Sequence, residues 1–368
     1  MADVVLSPYQ EGWKDLYELE RTKLLKALGH ATEGGVLFRI EHIGSTSIPG
    51  MIAKPTIDIM IDVWPFPIPE EKIRAMQELG YDYLGENGLS GRQYFSRGPH
   101  DFHVHILNIE TYQWQNFLLF RNYLRADANA AKRYADLKLE LSQLYPNNRQ
   151  AYQNGKGELI GQLTQEAHLW HVAETGFKPL AFVAAELEGV AAPWHFSSGW
   201  ALDLFTGKPS RYHDDLDIIV ERQHQLAFQK QLRAKGWLLH YVANNSYVFW
   251  EDNEPIPETS HQIHARKADE FIDILIEPNL TDVWHYRRNP ELTRARNKTF
   301  LERDGLSYLS PELVLAFKAK LSDNKPRPKD QKDFERVLPY LSDDQKRWLA
   351  QAVKTENANH PWLRDLSC

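Results

Sequence analysis

The two halves of this chain run through the same order of periodic segments, and that order restricts the fold more than any single motif does. In the first half, Trp13, Leu16, Tyr17, Leu24, Leu25 and Leu28 recur at helical spacing among charges, which predicts an amphipathic helix over residues 10–28. A strand over 36–41, a Gly/Ser/Pro-rich loop over 44–50 and a strand over 56–63 follow, then a helix over 69–79 and strands over 92–96 and 101–107. Residues 111–170 read as mostly helical, with a break at 146–148. Gly176 and Pro179 interrupt the periodicity at 172–179, which predicts a linker there between domains at 1–172 and 178–368. Beyond it the layout repeats. A helix over 180–187, a turn at 196–199, a helical segment, a strand over 216–220 and a helix over 222–235 lead to strands near 237–240, 246–251 and 270–277. The remainder to the C-terminus reads as mostly helical. No residue-level repeat accompanies the shared order. The expected fold class is α/β (α+β): two tandem domains, each a small mixed sheet flanked by helices, with helical C-terminal parts.

Composition narrows the function. With 42% hydrophobic and 25% charged residues the chain has the apolar content of a globular protein, and 368 residues suit two cores better than one. The net charge of -7 argues against a protein whose main task is gripping nucleic acid, since phosphate binding draws on clustered Lys and Arg. A small-molecule partner is expected instead. No apolar run approaches the roughly 18 residues of a membrane-spanning helix, so no membrane partner and a cytoplasmic location are expected. The single cysteine, Cys368, offers neither an intramolecular disulfide nor a cysteine-ligated metal site. Nothing in the sequence specifies an oligomeric state.

The chemistry of the second half rests on three pieces. The first is the turn Ser197-Ser198-Gly199-Trp200, whose small residues let backbone N–H groups and a hydroxyl approach phosphate oxygens. The second is His213-Asp214-Asp215-Leu216-Asp217-Ile218-Ile219-Val220, in which residues two apart on a strand share a face, so Asp215 and Asp217 present their carboxylates side by side. Such a pair suits Mg2+ or Mn2+, hard cations that take carboxylate and phosphate oxygens. The third is Asp273, embedded in the apolar run Phe271-Ile272-Asp273-Ile274-Leu275-Ile276, where it could complete a metal site or serve as base for an acceptor hydroxyl. A chain with 50 acidic residues in 368 holds roughly seven acid-x-acid pairs by chance, so the pair gains meaning only from this context.

The context resembles a known pattern. Ser198-Gly199-Trp200-Ala201-Leu202-Asp203 followed by Gly207-Lys208-Pro209-Ser210-Arg211-Tyr212-His213-Asp214-Asp215-Leu216-Asp217 is similar to the signature of aminoglycoside nucleotidyltransferases of the 2''-adenylylating type and their lincosamide-modifying relatives. Leu309-Ser310-Pro311-Glu312 with Lys318, and Arg327-Pro328-Lys329-Asp330 with Asp333-Phe334, resemble those families' helical part, extending the likeness over about 180–341. Ser198 stands where the family pattern has its first glycine. The resemblance implies a polymerase-β-type nucleotidyltransferase fold, Asp215 and Asp217 as metal ligands, Ser198 and Gly199 on the triphosphate, and Asp273 as base. Arg211 and His213 become candidates for phosphate contact, as do Lys318 and Lys320 on a helix, where two lysines also suit a solvated face. Arg327, Lys329 and Asp330 suit a structural clasp as well as a substrate role. The implied reaction moves AMP from ATP to a hydroxyl of a small molecule; transfer to a protein or tRNA acceptor, or nucleotide binding without turnover, are the other readings.

The first half resembles the GrpB family over about 4–167, through His42-Ile43-Gly44-Ser45-Thr46-Ser47-Ile48-Pro49-Gly50, Lys54-Pro55-Thr56-Ile57-Asp58-Ile59, His103-Val104-His105, Phe120-Arg121 with Tyr123-Leu124-Arg125, and Tyr152-Gln153-Asn154-Gly155-Lys156. That resemblance implies the same nucleotidyltransferase fold. Gly44-Ser45 and then Asp58 keep its order, but Met60 stands two residues after Asp58 where a second carboxylate is expected, and His103 or His105 takes the third position. Asp58 with both histidines could hold a transition metal, or the histidines could be hydrogen-bonded strand residues. The acidic stretch Glu251-Asp252-Asn253-Glu254-Pro255-Ile256-Pro257-Glu258 could attract a polycationic acceptor or be a solvated loop, with His261 and His264 as loop residues beyond it. Trp200, Trp237 and Trp250 are expected in the core rather than stacked on a ligand.

Overall fold

The computed structural model describes residues 4–366 apart from 31–36, 64–65, 99–100, 108–111, 214, 245, 268–269, 279–281 and 324. Two compact units divide the chain, 1–174 and 175–368.

Unit 1 opens on α1 (Gly12–Leu28), whose Trp13, Tyr17, Glu20, Leu24 and Leu28 are buried at three- and four-residue spacing. Gly29 ends it with φ 71, a conformation that glycine adopts without a Cβ penalty. A five-stranded sheet follows from β1 (Leu37–Ile43), β2 (Ile57–Val63), β3 (Asp82–Tyr83), β4 (Arg92–Arg97) and β5 (Phe102–Leu107), in the order β1-β2-β5-β4-β3. β2 and β5 pair in parallel, and every other neighbour is antiparallel. Along the central β2 every residue but Asp58 is buried, as a strand covered on both faces requires. α2 (Glu70–Glu78) lies between β2 and β3, and α3 (Tyr112–Ala126), α4 (Ala128–Leu144), α5 (Arg149–Gly155) and α6 (Gly157–Thr175) complete the unit. The carboxylate of Asp127 caps α4 by accepting from the amides of Asn129 and Ala130 at 2.9 and 2.8 Å. Asn148 caps α5 in the same way, just after the anticipated break.

The expected linker is helical for most of its length. α6 runs to Thr175 and α7 (Lys178–Glu186) begins three residues later. Gly176, at φ 54, permits the break, and Pro179 sits in the first turn of α7, where its missing N–H would have no partner in any case.

Unit 2 is built on β6 (Trp194–Phe196), α8 (Ser198–Thr206), β7 (Leu216–Glu221), α9 (Gln225–Ala234), β8 (Leu238–Ala243), β9 (Ser246–Phe249), β10 (Gln262–Lys267) and β11 (Glu270–Glu277). The part expected to be mostly helical instead alternates short strands with helices. β12 (Val283–His285) and β13 (Thr293–Ala295) form a ribbon, then come α10 (Arg296–Thr299), β14 (Phe300–Arg303), β15 (Leu306–Leu309), α11 (Pro311–Lys318), the ribbon β16 (Leu321–Ser322) and β17 (Lys325–Pro326), α12 (Pro328–Val337) and α13 (Asp343–Glu356). These strands are two to four residues long, too short to express a period of two. The main sheet has eight strands in the order β14-β15-β6-β7-β11-β10-β8-β9.

Its centre repeats unit 1. β6 is antiparallel to β7, β7 parallel to β11, β11 antiparallel to β10 and β10 to β8, the same sequence of senses as β1, β2, β5, β4 and β3. The fold is therefore mixed α/β in both units, with sheets flanked by helices. Trp200, Trp237 and Trp250 belong to the core of unit 2. Among the described residues no helix is long and apolar enough to cross a membrane.

Candidate active site

The parallel register of β7 and β11 sets Asp217 directly beside Asp273. Asp215, two residues before Asp217, projects from the same face of the chain as it enters β7. Together they offer one oxygen each, all within 4.8 Å of one another, and among the described residues no other group of this kind could hold a metal ion. Asp217 and Asp273 are buried. Burial, then the charges of Asp215 and Asp273, push the Asp217 carboxyl well above the ordinary carboxylate range, against a hydrogen bond from Ser198 and the charge of Lys318. Three crowded carboxylates with hard oxygen donors are what a divalent magnesium or manganese ion would relieve, so the donor set fits the cation.

The turn after β6 delivers Ser198 to this cluster. The amide of Ser197 donates to the carbonyl of Asp217 at 2.9 Å, and Ser198 adopts φ 50, a left-handed conformation strained for any residue but glycine. Trp200 Nε1 donates to the carbonyl of Asp215 at 3.0 Å and so ties α8 to the acidic strand.

Gly199 has a different reason to be glycine from the one expected. A Cβ there would lie 2.4 Å from Cε1 and Nδ1 of His213 and 2.8 Å from the Arg211 guanidinium, so the glycine makes room for protein. His213 in turn is buried, with its ring 4.3 Å from that of Trp200 and its Nε2 2.7 Å from Asp203 Oδ2. Ser210 and Arg336 also bind Asp203. Through these contacts His213 holds the turn.

Lys318, at the end of α11, sits 3.0 Å from both Asp330 and Asp333, and Arg327 Nε donates to Asp330 at 2.6 Å. Arg211 reaches Asp333 at 3.4 Å. The cations named from sequence thus form a clasp with α12, from which Lys318 still acts on Asp217 through its charge. Asp214 lies outside the described residues.

Sequence reasoning missed the strand that supports Asp273. His264 is not a loop residue: it lies on β10 in register with Asp273, its Nε2 3.9 Å from Oδ1, and Gln262 on the same face donates to Oδ2 at 2.6 Å. The signal was present in Gln262-Ile263-His264-Ala265-Arg266, whose polar and apolar residues alternate with the period of a strand. In the acidic loop, Asp252 pairs with Arg233 at 3.2 Å and Glu258 with Arg222 at 3.4 Å, which cancels part of its charge.

In unit 1 the same register gives a different set. Asp58 pairs with His103 across β2 and β5, as Asp217 pairs with Asp273, and the left-handed Gly44 (φ 70) follows β1 as Ser198 follows the end of β6. Asp58 is therefore the counterpart of Asp217. The missing carboxylate falls at Thr56, not at Met60, which is buried in a small core with Ile43 and Leu107. His103 Nδ1 lies 3.1 Å and His105 Nε2 3.7 Å from Asp58 Oδ1. Arg92 donates to His105 Nδ1 at 3.1 Å, which places the ring proton on Nε2, facing Asp58. Burial alone would raise the Asp58 carboxyl, but the hydrogen bond from His103 and the nearby His105 imidazole outweigh it and hold the group well below its ordinary range. A Cβ on Gly44 would fall 2.3 Å from Asp58 Oδ2, so this glycine is demanded both by φ and by the carboxylate. Ser45 follows it in the short helical turn that borders the cavity.

Comparison with known proteins finds a match in each half. Residues 3–166 match the family model "GrpB protein", and residues 180–256 match "Aminoglycoside-2''-adenylyltransferase", a span that holds Asp215 and Asp217 and ends before Asp273. The UPF0157 protein YqkA of Bacillus subtilis (strain 168) is 38% identical over 164 residues, covering 44% of this chain and 46% of that protein, so the chain spans about half of that relative's length. The glutamate-rich protein GrpB of Alkalihalophilus pseudofirmus is 30% identical over 171 residues, 45% of this chain and 95% of that one. A crystal structure of ANT(2'')-Ia in complex with adenylyl-2''-tobramycin aligns over 49% of this chain and 97% of that one, with 15% identity and a TM-score of 0.35. Similarity to adenylyltransferases thus supports nucleotidyl transfer as the general chemistry of the second half. Through its first half, the chain belongs to the GrpB family.

Proposed function

We propose that unit 2 is a metal-dependent nucleotidyltransferase that moves AMP from ATP to a hydroxyl of a small-molecule acceptor and releases pyrophosphate. The observation that carries this reading is the triad Asp215, Asp217 and Asp273, with oxygens within 4.8 Å at the centre of a mixed sheet. The match of residues 180–256 to an adenylyltransferase family supports it independently.

Asp215 and Asp217 would hold Mg2+ or Mn2+, which when bound supplies Lewis-acid polarisation of the α-phosphate and neutralises the leaving pyrophosphate. Ser198, bonded to Asp217, orients that carboxylate, and the left-handed turn around it presents backbone amides to the triphosphate. Arg211 and Lys318 add positive charge beside the site. Asp273 accepts the acceptor's hydroxyl proton; a new bond forms from that oxygen to the α-phosphorus, and the bond from phosphorus to the pyrophosphate oxygen breaks. Gln262 holds Asp273 in place for that transfer, with the His264 ring beside it. The acceptor class that best fits the family match is an aminoglycoside-like molecule, although the part-neutralised loop around Asp252 adds little attraction for a polycation.

Purified protein incubated with ATP, Mg2+ and a panel of aminoglycosides, lincosamides and hydroxylated metabolites is expected to release pyrophosphate with one acceptor class. Asp217→Asn is expected to abolish the release. Equal release by that variant would refute the assignment.

A further inference from the structure

Unit 1 carries an open cavity of about 1030 Å³ whose charge is opposite to that of the triad in unit 2. Among the described residues Asp58 is the one carboxylate in its lining, and its Oδ1 is already engaged by His103 at 3.1 Å, with His105 beside it at 3.7 Å. Facing it are Lys54, Arg92, Lys138, Arg149 and Lys156. Arg92 is spent on His105 and on the carbonyls of Glu86 and Asn87. Among the described residues no acid pairs with the three lysines. Lys54 and Lys156 stand 4.5 and 4.7 Å from the ring centre of a single residue, Tyr152. Lys138, 2% exposed, donates to the carbonyl of Ile52 and lies 5.2 Å from the ring of Tyr134. Among the described residues the carboxylate that acts on all three is Asp58, and only through its charge.

Crowding like charges in a low-dielectric wall is unfavourable unless a counter-charge arrives. The strain shows in the ammonium groups. Burial, then Arg149 and Lys156, bring Lys54 down to about 8, and burial, then Lys156 against Asp58 and with Lys54, brings Lys138 down to about 7. Burial, with a smaller contribution from Arg149, lowers Lys156 against the pull of Asp58.

We propose that this cavity binds a ligand bearing two or more linked phosphates, a nucleoside di- or triphosphate or pyrophosphate itself, through Lys54, Lys138 and Lys156 and without a divalent cation. Three lysines, drawn to their ammonium forms as a polyanion arrives, exceed the charge of a single phosphate or carboxylate, and the volume accommodates a drug-sized molecule. In unit 2 three carboxylates call for a cation before a triphosphate can approach. Unit 1 has Thr56 and His103 at two of those register positions and supplies the positive charge from side chains instead.

The test uses the full-length chain carrying Asp215→Asn and Asp217→Asn, which silences the metal-dependent site, titrated calorimetrically in EDTA with pyrophosphate, ADP, ATP and inorganic phosphate. Saturable one-to-one binding of the linked phosphates in EDTA is expected, unchanged by added Mg2+ and at least tenfold tighter than inorganic phosphate. Pyrophosphate binding as tightly as ATP would identify the phosphates as the whole ligand, and tighter binding of ATP would identify a nucleotide. Lys54→Gln with Lys156→Gln is expected to weaken binding at least tenfold, whereas Lys54→Arg, which keeps the charge, retains it. If the double variant loses the thermal transition of unit 1, Lys156→Gln alone decides. Absence of binding in EDTA, dependence on Mg2+, or an affinity indifferent to the lysine substitutions would overturn the proposal while leaving the reading of unit 2 untouched.

Discussion

Gly199 packs against the ring of His213 so closely that a Cβ would sit 2.4 Å from two ring atoms, and the ring is pinned through Nε2 by a 2.7 Å contact with the fully buried Asp203. The turn that carries Ser198 to the triad is thus held by a stack of Gly199, His213 and Asp203. Gly199→Ala should overpack it, at a cost of about 1–3 kcal/mol. Calorimetric unfolding is expected to show the transition of unit 2 lowered by several degrees and that of unit 1 unmoved; a variant as stable as the parent would mean the ring can retreat.

Asp217 is the most crowded carboxylate of the triad, and replacing it should separate stability from activity. Asp217→Asn removes a buried negative charge from beside Asp215 and Asp273 while keeping the shape of the side chain. Without divalent cation the variant is expected to unfold at or above the temperature of the parent. Mg2+ should stabilise the parent by mass action and leave the variant unmoved. Equal stabilisation of both by Mg2+ would place the cation elsewhere.

Gln262 donates to the Asp273 oxygen that is not paired with His264, so Gln262→Leu should leave the proposed base less well ordered and its ionised form less favoured. The expected result is a fall in kcat of roughly tenfold, equivalent to about 1.4 kcal/mol, with KM for ATP little changed. Loss of a donor to the carboxylate also moves the acid limb of the pH–rate profile to higher pH. A fall in kcat without that displacement would make Gln262 merely structural.

The pH dependence of stability has a definite sign at His195. Burial, then Arg296, brings its imidazole down to about 4 from an ordinary 6.5, while Phe300 stacks on it at 3.5 Å and Ser307 bonds Nδ1 at 2.7 Å. The folded group stays neutral where the unfolded one gains a proton, so the unfolded state binds more protons between about 6.5 and 4. Its contribution is complete above pH 6.5 and is lost as the pH falls through that window, with a limiting slope of about 1.4 kcal/mol for each pH unit. Chemical denaturation at stepped pH should show unit 2 weakening in this range, with a shallower slope in His195→Gln; an unchanged slope would rule out this histidine as a source.

What could be read before folding was local in character. Residues two apart share a strand face, so the pairing of Asp215 with Asp217 followed from the chain alone, as did the helix over Gly12–Leu28 and the glycine-dependent turn at Gly44. The GrpB character of the first half lay in contiguous motifs around Gly44 and Asp58 and was visible for the same reason. The second half of the site was not local. His264 reads as a loop residue in sequence because a six-residue strand states its period too briefly to stand out beside a Pro-rich loop. The strands between Val283 and Pro326 escaped for that reason too.

Sequence by itself determined the mixed α/β class, the repeated order of elements and the acidic strand of unit 2. Tertiary structure decided which distant residues meet. Only the parallel crossover from β7 to β11 brings Asp273 beside Asp217, 56 residues earlier, and only the same crossover in unit 1 reveals Asp58 as the counterpart of Asp217 with Thr56 in place of the missing acid. It also gathers Lys54 from a loop, Lys138 from α4 and Lys156 from the end of α5 around one cavity. Periodicity is a property of neighbouring residues and is written along the chain, whereas register and the convergence of charges depend on pairings between segments whose spacing in sequence carries no trace of their distance in space.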